Sequence, residues 1–335
     1  LSLKKMKKIL IFKTDRLGDL LNISPIINNI KINFPECEID LICSKYNKSI
    51  ANYFSMYVNI FVFNKPFIFF LLSNFNKFFL NKYDLIIQLD GKNHSYLSAI
   101  FIRSKKKICI QYSKLKSIFG KKITILRPNN IINFFFTNSL NCTEDYNVSN
   151  NNDFHYLSLY LKLISLENIK IVNQDHFLPI DLPKRIPRFD KEYFYLHIDE
   201  RWNNFEKKAF ENINYAISKL STNEKIVISS NIGGNIVFNK IEKLFTNVSN
   251  IEIIKDPSID DMISLIYHSH TCVSSHSGLV VHLSGALKKR IIDIVPKNIF
   301  DELDRWIPFN VEYKRFDILN FSNLDLCSEV FSRKN

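Results

Sequence analysis

The chain of 335 residues carries 45 Lys and Arg against 33 Asp and Glu, a formal net charge of +12. With 46% hydrophobic and 23% charged residues, its composition is that of a globular protein and excludes a disordered chain. Its seven glycines form neither G-x-G-x-x-G nor G-x-x-x-x-G-K-[ST], so the dinucleotide fingerprint and the phosphate-binding P-loop are also excluded. The positive charge favours an anionic partner, which could be nucleic acid, a membrane face or a phosphorylated substrate.

In the first half of the chain, short apolar runs alternate with segments of helical period. Strands are predicted at Lys8–Phe12, Glu38–Cys43, Asn59–Phe63, Asp84–Leu89, Lys107–Gln111 and Lys122–Leu126. Between the first two, apolar residues recur at three- and four-residue steps from Leu20 to Phe34, which predicts one helix with Pro25 in its first turns. Strand and helix alternating at this spacing predict a parallel, doubly wound sheet.

A proline-rich break separates this half from a second alternating half. Pro179, Pro183 and Pro187 lie within nine residues and predict an interdomain linker. Beyond it, strands are predicted at Tyr193–Ile198, Lys225–Ser229, Ile251–Ile254, Thr271–Ser274 and Ile291–Val295. Helices are predicted near Asn204–Lys219, Ile259–His268, Leu279–Leu287 and Asn323–Arg333, with a capping box at Ser258 and Asp261. We therefore expect α/β domains at residues 1–180 and 190–320, and a helix in 321–335 that packs back towards the first domain.

The six cysteines form no C-x-x-C pair and are expected to be buried free thiols of a reducing cytoplasm. No signal peptide is expected, and the apolar stretch Phe67–Leu80 is too short and too often interrupted by Asn and Lys to span a bilayer. The segment Lys65–Lys82 interleaves six phenylalanines with flanking lysines. It is either an interfacial element that touches anionic lipid or a buried part of the core. These features predict a cytoplasmic protein, soluble or peripheral on the inner face of the membrane.

The most informative segment is Lys8–Ile27, KILIFKTDRLGDLLNISPII, with Lys13, Thr14, Gly18, Asp19, Ser24 and Pro25 at matching positions. It resembles the N-terminal segment of glycosyltransferase family 9, the bacterial lipopolysaccharide heptosyltransferases. The resemblance continues over nearly the whole chain, in YDLIIQLDG from Tyr83, LHIDERW from Leu196 and HLSGAL from His282. The sequence also departs from the family. His276-Ser277-Gly278 stands where the family has Asp-Ser/Thr-Gly, His282 lies one position further on, and Arg201 replaces a lysine.

The resemblance implies an α/β protein of the GT-B type, with two Rossmann-like, doubly wound parallel-sheet domains facing a cleft. It implies an inverting, metal-independent glycosyltransferase that needs no cofactor beyond its nucleotide-sugar co-substrate, with ADP-heptose as the expected donor. The acceptor would be a lipid-linked or oligosaccharide precursor of lipopolysaccharide or a related surface glycan, at the cytoplasmic face of an anionic inner membrane. The acceptor would bind to the first domain and the donor to the second.

Asp19 lies at a strand-to-helix turn, where the helix dipole favours the ionised carboxylate. The resemblance assigns it as the catalytic base, and the alternative is an ordinary helix-capping Asp. Arg201 could stabilise a departing diphosphate, and the alternative is a solvated surface Arg. The other expected donor-binding residues are Trp202, Ser230, Asn231, His276, Ser277, Gly278 and His282. The other expected acceptor-binding residues are Lys13, Thr14, Arg16, Gly18, Lys92 and His94.

Three alternatives stay open. The first is a GT-B enzyme acting on another nucleotide sugar without an acceptor, such as an epimerase. The second is a basic nucleic-acid-binding protein, although the positive residues are scattered and no recognised module is present, so nucleic acid is not expected. The third is a non-catalytic partner protein. No metal is expected, because His268, His270, His276 and His282 should not converge.

Overall fold

The computed structural model describes residues 6–63, 66–80, 82–118, 121–143, 155–181, 183–204, 207–230 and 236–317. The chain divides into two compact units, Leu1–Asp175 and His176–Asn335. Among the described residues, no helix combines the length and the apolarity needed to cross a bilayer. The helix expected near Asn323–Arg333 lies outside the described residues.

The first unit contains one sheet of seven strands. They are β1 (Lys8–Phe12), β2 (Glu38–Ser44), β3 (Asn59–Phe63), β4 (Tyr83–Gln88), β5 (Ser104–Ile118), β6 (Lys121–Arg127) and β7 (Asn138–Thr143). The order is β3-β2-β1-β4-β5-β6, and β7 pairs with β5. Strands β1 and β4 are continuous Ile/Leu runs with little exposure, as expected for parallel strands covered on both faces.

Strand β6 departs from the predicted all-parallel sheet, because it pairs with β5 in the antiparallel direction. The connection from Ile118 to Lys121 is too short for a crossover, so the chain can only turn back as a hairpin. Strand β7, which the sequence did not predict, pairs with β5 in parallel. It is polar and only partly buried, so it lacks the apolar run by which the other strands were predicted.

The helices of the first unit are α1 (Leu17–Leu21), α2 (Ser24–Asn33), α3 (Lys48–Tyr53), α4 (Phe67–Ser73), α5 (Asn93–Phe101), α6 (Asn130–Asn133) and α7 (Tyr156–Ser165). A π-helical turn follows α4 at Asn76–Leu80. The prediction of a single helix from Leu20 to Phe34 is wrong, because the helix is interrupted between α1, which ends at Leu21, and α2, which begins at Ser24. Pro25 lies in the first turn of α2, and the Ser24 hydroxyl donates to the Leu21 carbonyl at the break.

The second unit contains six parallel strands: β8 (Tyr193–Ile198), β9 (Ile226–Ser230), β10 (Ile251–Lys255), β11 (Ser269–Ser274), β12 (Arg290–Val295) and β13 (Tyr313–Asp317). Their order, β10-β9-β8-β11-β12-β13, is that of the Rossmann fold. The helices are α8 (Lys207–Leu220), α9 (Ile236–Phe245), α10 (Ile259–Tyr267), α11 (Gly278–Ala286) and α12 (Phe300–Leu303). The capping box of Ser258 and Asp261 is confirmed at the start of α10.

The proline-rich segment packs on the second unit. The Pro183 carbonyl lies 3.0 Å from Nε2 of His268, and the Ser264 hydroxyl donates to the Lys184 carbonyl at 2.6 Å. The guanidinium of Arg188 donates to the carbonyls of Ser249 and Ile251. This segment therefore follows the surface of the second unit. The five described cysteines are buried free thiols: Cys37, Cys43, Cys109, Cys142 and Cys272.

Candidate active site

Each sheet reverses its strand order next to its first strand, between β1 and β4 in the first unit and between β8 and β11 in the second. Ligands of doubly wound folds bind beyond the carboxyl ends of the strands at such a switch point. The segments that follow these four strands begin at Lys13, Leu89, Asp199 and Ser275. They contain most of the residues that the sequence predicts to bind substrates.

In the first unit, the buried carboxylate of Asp90 joins the two segments of the switch point. It accepts hydrogen bonds at 2.8 Å from both the backbone N–H and the hydroxyl of Thr14, and another at 3.0 Å from the hydroxyl of Ser95. The backbone N–H of Lys92 donates to its other oxygen at 3.0 Å. Thr14 is therefore held inside the protein, where its hydroxyl has a fixed position.

Lys13 is a buried cation. Its ammonium lies 2.8 Å from Oδ2 of Asp15 and 3.0 Å from the hydroxyl of Tyr160. Burial alone would lower the pKa of Lys13, but Asp15, Tyr160 and Asp19 together raise it well above its ordinary value. Lys13 is therefore charged, and its ammonium is committed to groups within the protein.

Asp15 is the most perturbed carboxyl of this switch point. Burial raises its pKa to about 7; Lys13 opposes the rise, and Asp19 and Asp90 add to it. Its Oδ1 is buried and accepts no hydrogen bond from the described residues. The Asp15 carboxyl therefore binds a proton more readily than an ordinary aspartate, beside the turn that carries Asp19.

Asp19 lies in the first turn of the short helix α1 and is partly exposed. The N-cap of α1 is Arg16 in extended conformation, and the Arg16 side chain makes no cap hydrogen bond. Gly18 is buried in the same turn, and Arg16 is exposed. The geometry leaves Asp19 within the electrostatic field of Lys13 and Asp15.

The two expected acceptor-binding residues that follow β4 take different positions. Lys92 is exposed at the N-cap of α5. The His94 ring stacks on Phe63, with centroids 4.6 Å apart, and its Nε2 lies 3.4 Å from the Thr14 hydroxyl. Burial lowers the pKa of His94, so a neutral imidazole is favoured there.

In the second unit, Arg201 bridges the two segments of the switch point. Its guanidinium donates to the carbonyls of Ser275 and His276, which follow β11, and lies 3.5 Å from Oδ2 of Asp199, which follows β8. Burial raises the pKa of Asp199 to about 6, although Arg201 opposes the rise. The Arg201 side chain is 41% exposed, so a ligand at the carboxyl edge can reach it.

His276 is oriented by a buried carboxylate. Its backbone is left-handed, with φ of 51°, and its Nδ1 lies 2.7 Å from Oδ2 of Asp293. Asp293 also accepts the backbone N–H of His276 at 3.1 Å, the Ser274 hydroxyl at 2.8 Å and the Tyr313 hydroxyl at 2.7 Å. These four hydrogen bonds fix the loop that leads into α11. They also fix the two carbonyls to which Arg201 donates.

Helix α11 begins next to Arg201 with an open N-terminus. Ser277 is its N-cap but makes no side-chain cap hydrogen bond, and a methyl group built on Gly278 would have nothing within 4 Å. Free N–H groups at a helix start, with room in front of them, favour an anion.

The other expected donor-binding residues lie deeper in the second unit. Trp202 is fully buried in the core beside β8 and α9. His282 is buried within α11 and stacks on His176, with ring centroids 5.4 Å apart. Ser230 is buried at the end of β9, and its carbonyl accepts the N–H of Asp256. Asn231 lies outside the described residues. Trp202 and His282 therefore support the site from within.

Sequence reasoning missed the carboxylates that organise the two switch points: Asp15, Asp90, Asp199 and Asp293. A signal was present for Asp293, because it is the single charged residue inside the apolar run of β12. A buried charge in such a run needs partners, and those partners are the loop donors of the site. In the described part of the chain, no group of three His, Cys, Asp or Glu side chains is placed to hold a metal ion.

No protein-family model and no curated protein matches the sequence. Among solved structures, the chain is similar to the E. coli heptosyltransferase WaaC with ADP, at a TM-score of 0.67 and 15% identity over 95% of this chain and 96% of that one. It is similar to E. coli ADP-heptose LPS heptosyltransferase II at 0.60 and 12%, over 93% and 90%. It is also similar to the UDP-GlcNAc 2-epimerase of Methanocaldococcus jannaschii at 0.50 and 12%, over 98% and 93%. The likeness confirms the predicted fold class, two Rossmann-like α/β domains of the GT-B type.

Proposed function

We propose that the chain is a glycosyltransferase that moves a sugar from a nucleotide diphosphate to a hydroxyl of a surface-glycan precursor. The observation that carries the proposal is the position of Arg201, whose guanidinium lies against the loop carbonyls at the open start of α11. A diphosphate carries its charge on oxygens that accept from both a guanidinium and helix N–H groups. The similarity to a heptosyltransferase with ADP supports ADP-heptose as the donor.

In the proposed reaction, the acceptor hydroxyl gives its proton to the carboxylate of Asp19. Its oxygen bonds to C1 of the sugar from the face opposite the diphosphate, which inverts the configuration. The bond between C1 and the phosphate oxygen breaks, and its electron pair leaves with the nucleoside diphosphate. Arg201 and the first N–H groups of α11 stabilise the charge that develops on that leaving group. We propose that these groups replace a metal ion, and that no cofactor besides the nucleotide sugar is needed.

The first unit would bind the acceptor and the second the nucleotide sugar. We propose a lipid-linked or oligosaccharide precursor of lipopolysaccharide as acceptor. Among the expected contacts, Lys92 and Arg16 are exposed at the first switch point and suit its anionic groups. Lys13 instead would act from inside, by setting the field around Asp19.

A thermal-shift panel of ADP, UDP and GDP tests the donor site. We expect stabilisation by ADP in the wild type, because a ligand at 100 times its Kd adds about 2.7 kcal/mol to stability. Arg201→Ala should lose that shift, whereas Arg188→Ala, which changes an exposed Arg of the same unit, should keep it. No shift with any nucleotide, or an unchanged shift in Arg201→Ala, would contradict the proposed donor site.

The base is tested with radiolabelled ADP-heptose and a lipopolysaccharide precursor that lacks heptose. Asp19→Asn should transfer at least about a thousandfold more slowly, given the size of general-base contributions and the lost charge, while keeping the ADP shift. Transfer near the wild-type rate would show that Asp19 is not the base.

A second candidate is an epimerase that acts without an acceptor, favoured by the structural similarity to a UDP-GlcNAc 2-epimerase. Incubation with UDP-GlcNAc alone distinguishes the two. Release of UDP or appearance of a 2-epimer without any acceptor would support the epimerase and count against the transferase.

A further inference from the structure

One face of the first sheet carries a helical layer that is apolar on both of its sides. The layer consists of α4, the π-turn Asn76–Leu80, α5 and α6; α4 packs against α5, and α5 against α6. Its inner side buries Phe70, Phe78 and Phe136 in the core of the unit. Burial in the core therefore accounts for only part of the apolar residues in this helical layer.

The outer side of this layer exposes nine large apolar side chains, each between 47% and 86% accessible. They are half of the eighteen exposed large hydrophobic residues in the described part of the chain. We call them the outer apolar surface: Ile68, Phe69, Leu72, Phe75, Leu80, Phe101, Ile131, Phe134 and Phe135. An apolar surface of this kind on a globular domain marks an interaction site.

The segment of the sequence that contains this surface is poor in acids. Residues 41–143 contain fifteen Lys and Arg but only Asp84 and Asp90 as acids, a net charge of +13 in a chain whose total is +12. The Lys and Arg are about as dense there as in the rest of the chain, as predicted, so the local charge comes from the scarcity of acids. Glu38, just before this segment, pairs with Lys77 of the layer at 2.9 Å. No acidic residue lies in the helical layer itself, and Lys82, Lys92 and Arg103 are exposed on or beside it.

We propose that the outer apolar surface docks the first unit onto an anionic phospholipid membrane. Phenylalanine, leucine and isoleucine side chains would enter the boundary between headgroups and acyl chains, while Lys82, Lys92 and Arg103 meet the lipid phosphates. A second copy of this chain fits poorly, because it would bring the same exposed cations, Lys82, Lys92 and Arg103, against each other. A nucleic acid would meet the positive charge but would leave the aliphatic residues Ile68, Leu72 and Ile131 without an apolar partner. The proposal is independent of the transferase reaction, because docking needs no substrate.

Vesicle co-sedimentation tests the proposal on the full chain. We expect strong binding to vesicles of phosphatidylcholine mixed with phosphatidylglycerol, and weak binding to phosphatidylcholine alone. The double variant Phe69→Ser/Phe134→Ser should reduce binding to the anionic vesicles at least about tenfold, since each side chain loses its burial in lipid. Leu244→Ser, the same kind of change at an exposed site of the second unit, is the matched control and should bind normally.

The electrostatic part is tested with Arg103→Glu, which should weaken binding to anionic vesicles and make the remaining binding less sensitive to salt. Lys219→Glu, an exposed position of the second unit, should behave like the wild type. Circular dichroism of each variant checks that the fold is intact. Equal binding to both vesicle types, or unchanged binding in the double variant, would overturn the proposal. So would a dimer in solution that Phe134→Ser dissociates, or duplex DNA that competes fully with the vesicles.

Discussion

Substitutions of two glycines in one helix test separately the stability of the second unit and the proposed binding of ADP. Gly278 begins α11 and Gly285 lies near its end, so Gly278→Ala and Gly285→Ala make the same chemical change at the two ends of one element. A methyl group on Gly278 would meet nothing within 4 Å. A methyl group on Gly285 would lie 2.4 Å and 2.6 Å from two ring carbons of Pro308.

The magnitudes follow from these distances. Pro308 is buried and its ring is rigid, so α11 or the Pro308 segment must shift, at an overpacking cost of about 1–3 kcal/mol. The higher helix propensity of Ala offsets about 1 kcal/mol of it. Gly285→Ala should therefore lower stability by up to about 2 kcal/mol, which for a unit of this size lowers the Tm by about 4–8 °C. Gly278→Ala should keep or slightly raise stability, because Ala restricts the unfolded chain.

The assay uses tryptophan fluorescence, because both tryptophans, Trp202 and Trp306, belong to the second unit. Thermal and urea unfolding followed by this signal report on that unit alone. In ADP binding the effects of the two variants should be exchanged, with Gly278→Ala the more strongly affected. Gly278→Ala adds a methyl group to the open start of α11, where we propose that the diphosphate binds, and should weaken ADP binding about tenfold, or ~1.4 kcal/mol. Gly285→Ala should bind ADP with the wild-type affinity at temperatures and urea concentrations at which the variant is folded. Full ADP affinity in Gly278→Ala, or a Gly285→Ala variant more stable than the wild type, would refute the reasoning.

Three further predictions concern buried titratable groups. Burial, with a smaller effect of Arg201, lowers the pKa of His197 to about 4. The unfolded chain therefore binds a proton at this residue below pH 6.5 while the folded chain does not. The free energy of unfolding should be independent of the titration of this residue above pH 6.5 and should decrease as the pH falls towards 4. The loss should reach about 3 kcal/mol, and His197→Phe should flatten it in urea unfolding at pH 7 and pH 4.5, whereas an equal loss in the variant would contradict the assignment. For Asp15, ¹³C NMR of labelled aspartates should show a carboxyl that titrates near pH 7, disappears in Asp15→Asn and moves upward in Lys13→Met; a carboxyl that titrates only below pH 5 would contradict it. Asp293→Asn should cost about 2–4 kcal/mol of stability in the second unit, because an amide N–H₂ then faces donors, and a loss under about 1 kcal/mol would count against the network.

The regular part of the fold was predictable because it depends on local patterns. Continuous apolar runs located β1, β3 and β8 at their observed bounds, and the alternation with helices predicted two Rossmann-like units. The errors have physical reasons. The break between α1 and α2 leaves the apolar period intact, so periodicity could not show it. Strand β7 is polar, and its place beside β5 depends on tertiary pairing that no local window contains.

The site was predictable at the ends of strands but not in its internal connections. Arg201 and the start of α11 were expected at the donor site, and the structure brings them together. The contacts that hold them join residues far apart in the sequence, as between His276 and Asp293. Such pairs are set by strand order, which a single sequence encodes only through the whole fold. Trp202 and His282 were expected to contact the donor because they are close to the site in the sequence. Both side chains are buried, and proximity in the sequence does not reveal which way a side chain points.

The two switch points differ in the groups that they offer to a ligand, and this difference fits the proposed chemistry. The segments of the first unit carry Asp15, Asp19 and Asp90 around a single buried cation, Lys13. Burial, with the charges of Asp19 and Asp90, raises the pKa of Asp15, which favours proton acceptance on this side. The second unit offers the guanidinium of Arg201 and open helix N–H groups, which suit a leaving group that gains negative charge. An exchange of these roles between the units would place the diphosphate beside Asp15, Asp19 and Asp90, and this supports our proposal that the first unit binds the acceptor and the second the nucleotide.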